Sequence, residues 1–163
     1  MTTKEILEKL LRSYTRYYDI ETENVTEGFA AEACFHSHDE QYFLLKSAKL
    51  AEADSHEYVF FALETGLTPQ KVQKYVEKAW ETGMSRVTPT SSHQSSDVAV
   101  IIIADSIPKD AARTVKRTRL FKSYRHGLQG FSHLRLCAFD LSSGKGCCNR
   151  FGSSLLKPFK NLL

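Results

Sequence analysis

The 163-residue chain has no long apolar run. Its longest, Val98-Ala99-Val100-Ile101-Ile102-Ile103-Ala104, is seven residues, against the ~20 that a membrane-crossing helix needs. The start, Met1-Thr2-Thr3-Lys4-Glu5, is polar, and charge interrupts the apolar residues after it, so the pattern of a secretory leader is missing. Cysteine is sparse: Cys34, Cys137, Cys147 and Cys148, with no C-x-x-C pair. The adjacent Cys147-Cys148 spacing suits neither zinc nor an easy intrachain disulfide. These read as reduced thiols of a cytoplasmic protein, with no membrane partner. Also absent are G-x-S-x-G, a Walker A loop, G-x-G-x-x-G and H-E-x-x-H, which removes the commonest signatures of nucleophile, nucleotide and zinc-protease chemistry. No cofactor is implied. No internal repeat or low-complexity tract is present.

What is there is ordinary for a folded chain. Hydrophobic residues make up 42% and charged residues 25%, close to the globular mean. A domain of this size buries about 68–70% of its unfolded surface, so a single domain over 1–163 is expected. The net charge of +3 hides an asymmetry. From Ile107 to Leu163 there are twelve Lys or Arg against two acids, whereas the first 106 residues carry ten basic and seventeen acidic ones. Such a split marks either a partner surface or charges matched within one fold, and internal matching is the expectation.

Periodicity predicts the elements. Thr2-x-x-Glu5 is a capping box ahead of a helix bearing Ile6, Leu7, Leu10, Leu11, Tyr14 and Tyr18. Strands are expected at Tyr17–Glu21 (short, and readable instead as the helix end), Phe29–His36 (Phe29, Ala31, Ala33 and Phe35 on one face), Gln41–Leu50 and Glu57–Leu63, joined as antiparallel hairpins. Thr68 and Pro69 open a second helix with Val72, Tyr75, Val76, Ala79 and Trp80 inward and Gly83 as its stop. After a polar loop, Val98 to Ala104 lacks alternation, which predicts a strand buried on both faces. A short helix over Lys109–Arg117, strands at Leu120–His126, His133–Leu141 and Cys147–Arg150, and a last helix capped by Ser153 complete the chain. The expected class is α+β: a mostly antiparallel sheet with N-terminal, middle and C-terminal helices packed on it.

Three sets of residues carry chemistry. His36, His38 and Glu57 supply donors for a divalent cation, but in no recognised metal spacing. The order helix, three strands, helix, strand is that of the PD-(D/E)xK nuclease core, whose catalysis needs acids for Mg²⁺ and a Lys two residues beyond the Glu. No E-x-K triplet occurs in this chain, and Val59 stands two after Glu57. The segment from Lys116 to His126 mixes cations with rings. Its Lys116, Arg117, Arg119, Lys122, Tyr124 and Arg125 could track phosphates and stack bases on a strand face. The same residues could equally form a solvated sheet edge that resists aggregation.

Several stretches resemble a small uncharacterised bacterial domain-of-unknown-function family, found chiefly in anaerobic Gram-positive bacteria. They are Lys46 to Phe61, Val98 to Asp105, Lys122-Ser123-Tyr124 with Gly127 to Phe131, and Asn149-Arg150-Phe151-Gly152. The resemblance spans most of the chain and implies a single-domain intracellular protein with no activity to carry over. Three functions remain in competition. The first is a non-enzymatic binding or accessory domain acting through its surface, homo-oligomers included. The second is a nucleic-acid-binding protein with a degenerate nuclease-like fold, and the third a metal-dependent hydrolase.

Overall fold

The capping box forms as expected: Thr2 Oγ1 accepts from the Glu5 N–H at 3.1 Å, and Glu5 reaches back to the Thr2 N–H. It starts α1 (Thr3–Tyr14) in a computed structural model that describes residues 1–36, 54–87 and 93–162. The expected strand Gln41–Leu50 lies outside the described residues. The elements then run β1 (Asp19–Glu21), β2 (Ala31–His36), β3 (Asp54–Gly66), α2 (Pro69–Ser85), β4 (His93–Ser106), α3 (Lys109–Arg117), β5 (Phe121–Ser123), β6 (Phe131–Asp140), β7 (Lys145–Cys148) and a 3₁₀ helix (Ser153–Asn161).

The strands form one mixed sheet in the order β1-β2-β3-β4-β6-β5, with β7 also on β6. The class is α+β, and four of the six pairings are antiparallel. The two central ones, β3 with β4 and β4 with β6, are parallel because α2 and α3 make the crossovers. β4 is therefore covered on both sides, as its unbroken Val98–Ala104 run requires, and every residue of that run is fully buried. On the front face, α1 and the 3₁₀ helix bury Ile6, Leu10, Leu155 and Phe159 against Val59, Phe61, Ile101 and Cys137. On the back face, α2 and α3 bury Val72, Val76 and Val115 against Phe60, Val100, Ile102 and Leu136. Each such side chain contributes ~1.5–3 kcal/mol of apolar burial.

Local expectations fail where packing overrides them. Gly83 does not stop α2, which runs on to Ser85. A Cβ at Gly83 would lie 2.4 Å from Val98 Cγ2, so glycine is there to let the helix approach the sheet. Phe29 is not on the face of Ala31 and Ala33. It precedes β2 in a turn and packs at the back on Phe60 and Tyr75, at centroid distances of 5.2 and 5.6 Å. The last helix is 3₁₀ and its N-cap is Gly152, not Ser153. Pro158 within it lacks the N–H that an α-helical turn would use.

Two short strands share the outer edge of β6, β5 along its first half and β7 along its second. Asn149 joins them. Its N–H donates to the Leu136 carbonyl at 2.9 Å, its Oδ1 accepts from the Leu136 N–H, and its Nδ2 donates to the Thr118 and Leu134 carbonyls, each at 3.0 Å. The side chain thus stands in for a missing strand residue. Gly152 follows so closely that a Cβ there would sit 2.2 Å from the Leu136 oxygen. Asn149→Ala would strip buried partners from three backbone groups, each worth ~1–3 kcal/mol when left unsatisfied. A loss of about 3 kcal/mol is expected, read as a lower urea midpoint at unchanged m-value.

Candidate functional site

Strand alternation sends Glu57, Asp97, His133 and Arg135 to the front face at the N-terminal ends of β3, β4 and β6. Glu57 and Asp97 are direct cross-strand neighbours. Arg135 Nη1 donates to Glu57 Oε2, and Tyr18 Oη donates to Glu57 Oε1 at 2.6 Å. Two further N–H groups of the guanidinium donate to Ser154 Oγ and, at 3.1 Å, to the Phe151 carbonyl. Asp97 Oδ1 accepts from the His133 N–H at 3.1 Å and lies 3.3 Å from its ring Nδ1. Burial raises the Asp97 carboxyl above its ordinary range, against the opposing pull of His133. Burial likewise pushes the Tyr18 phenol up to about 12 and Tyr14 higher still, so both stay neutral donors at physiological pH.

This geometry decides much about the metal residues. Glu57 belongs to an ion pair and a phenol hydrogen bond. His36 ends β2 with its backbone opposite His56; its side chain, and His38 altogether, lie outside the described residues. Among the described residues no group of three His, Cys, Asp or Glu is placed to hold a metal ion. The element order of the nuclease core is present, with β3 and β4 parallel. At its carboxylate, however, stands a buried salt bridge with no lysine two residues on. The Glu57–Arg135 pair joins the acidic first part of the chain to its basic last part.

The basic segment is split by the sheet. The expected strand Leu120–His126 pairs only over Phe121–Ser123. Tyr124 to Gly130 is a turn in which Arg125 and His126 take left-handed backbone, φ 48° and 53°. Lys116, Arg117, Arg119, Lys122 and Arg125 are all exposed, and none pairs with an acid among the described residues. Tyr124 is not available to stack on a ligand. It is 8% exposed, pointed to the back face, with its hydroxyl at Ser132 Oγ (2.8 Å) and Met84 sulfur (3.4 Å). Lys122, opposite Ser132, lies over the Tyr124 ring on that same back face.

The exposed rings are others. Phe121 is opposite His133 and so shares the front face with Phe131 and His133. Phe131, Phe121, His133 and Phe151 form a continuous file, with successive centroids 5.7, 5.2 and 4.7 Å apart. Phe121, Phe131 and Phe151 are 57%, 40% and 42% exposed. Arg150 lies over Phe151 at 5.6 Å. Sequence reading missed this file because Phe121 and Phe131 stand apart in sequence and Phe151 follows another strand; an alternation pattern of F-x-S opposite F-x-H was the only signal.

Beside the file, a cleft of about 290 Å³ is lined by Ser13, Tyr14, Tyr18, Glu57, Arg135 and Ser154. Among the described residues no helix is long and apolar enough to cross a membrane. A family model described as Domain of unknown function (DUF8052) matches residues 2–161. No curated protein and no solved structure matches the chain.

Proposed function

The chain belongs to this family, whose description assigns no activity, and we propose that it is a non-enzymatic binding domain of the bacterial cytoplasm that takes single-stranded nucleic acid along its β5–β6 edge. The file Phe131–Phe121–His133–Phe151 carries this reading. Exposed rings in sequence offer π-faces to successive bases, which is worth ~1–3 kcal/mol per base and tolerates any sequence. Cations with no acid partner among the described residues flank the file: Arg150 over its last ring and Arg119 ahead of its edge strand. Across the edge, Lys116, Arg117 and Lys122 add the positive field that a phosphate backbone needs. A protein partner would have less use for so many unmatched charges, since the cores of such interfaces are depleted in charge.

Fluorescence anisotropy with a labelled oligothymidine tests this. Binding is expected to weaken linearly in log–log terms as salt rises, through counterion release at ~0.7 per phosphate on a single strand. Arg119→Ala should reduce that slope by about one. Absence of binding at low salt, together with concentration-dependent mass in sedimentation, would assign the face to self-association instead.

A further inference from the structure

The cleft that Arg135 shares with Tyr14 has hydrogen-bonding capacity that is not used up. Tyr14 is 7% exposed and lines the cleft, and among the described residues its hydroxyl has no hydrogen-bond partner. Ser154 Oγ accepts from Arg135, which leaves its own O–H to donate. Arg135 has spent three of its N–H groups on Glu57, Ser154 and Phe151, and a guanidinium carries five. Glu57 accepts one bond on each oxygen, while a carboxylate has about four lone-pair sites. Ser13 donates to the Leu10 carbonyl at 2.6 Å and keeps an acceptor oxygen.

The cleft therefore offers spare donors next to spare acceptors around a guanidinium. With about 290 Å³ it lies at the small end of ligand clefts, which span ~300–1,000 Å³. It is tied to the stacking file by Arg135, which lines the cleft and donates to the backbone carbonyl of Phe151. Along β6, Phe131, His133 and Arg135 point the same way at steps of ~6.7 Å, so a strand laid over the rings is led to the cleft.

We propose that this cleft receives one base splayed out of the bound strand and prefers guanine, an inference that rests on the single-strand reading above. Guanine presents two adjacent acceptors, O6 and N7, to arginine-type donors. Its N1–H and amino group supply the donors that Glu57 and Ser13 can accept. Pyrimidines present fewer such groups, and adenine offers a donor where guanine has O6.

The test compares an oligothymidine of ~10 residues, a length within ordinary single-strand site sizes, with the same strand carrying one central guanine. The guanine strand is expected to bind about tenfold more tightly, as a good base-edge pairing allows. Tyr14→Phe removes only an unpartnered hydroxyl, so folding is kept. It should lower the guanine preference several-fold and leave oligothymidine binding unchanged. Equal affinity for the two strands, with oligothymidine bound, overturns the cleft proposal alone. Failure of both strands to bind overturns the single-strand reading and the cleft with it.

Discussion

Alanine at both Phe121 and Phe151 is expected to weaken oligothymidine binding about thirtyfold or more. Each ring removed costs ~1–3 kcal/mol of base stacking, and 1.4 kcal/mol is about tenfold in affinity. The two rings stand at opposite sides of His133, at 5.2 and 4.7 Å from it, so the double change breaks the file at two places. Both side chains are substantially exposed, and the melting temperature should hardly move. That separates a binding surface from a packing role. If affinity were unchanged while stability fell, the rings would be covering the sheet edge rather than meeting a ligand. Phosphate contact does not depend on the rings, so the salt slope of the variant should match that of the parent.

The second large effect concerns stability. Arg135→Met leaves the Glu57 carboxylate, 9% exposed at its side chain, without its cation. Removing one member of a buried pair costs ~3–5 kcal/mol, and the lower end applies because Arg135 keeps a fifth of its side chain exposed. Adding Glu57→Gln should restore most of the loss, since the amide oxygen still accepts from Tyr18 while the stranded charge is gone. Chemical denaturation of the single and double variants gives the coupling directly. Additive losses would mean that the pair does not act as a unit. The outcome also bears on the nuclease-like element order, because a carboxylate held for metal would gain by losing its competing arginine. Here the arginine is expected to stabilise the fold by neutralising Glu57.

The two predictions rest on parts of the chain that differ in how far they could be read ahead. Helix α1 with its Thr2–Glu5 box, α2 from Thr68 and Pro69, α3 over Lys109–Arg117 and the doubly buried β4 were all legible. Capping, the 3.6-residue period and an unbroken aliphatic run are set by neighbours a few positions apart. Whether Lys116, Arg117, Arg119, Lys122 and Arg125 were exposed or matched by acids was not legible, and the structure shows all five exposed. The burial of Tyr124 was not legible either, because whether a ring faces solvent depends on the helix behind the sheet, and Met84 of α2 is what covers it.

By itself, then, the sequence determined the α+β class, the positions of the main helices, the doubly buried core strand and the presence of a basic segment with rings. The tertiary structure alone decided the parallel pairing of β3, β4 and β6, the Glu57–Arg135 pair across 78 positions and the bridging of two edge strands by Asn149. It alone set three distant phenylalanines in file. The physical reason is range. Propensity and periodicity act over one or two turns of chain, whereas the meeting of side chains from different strands follows from the order in which those strands pair, and local sequence carries no term for that order.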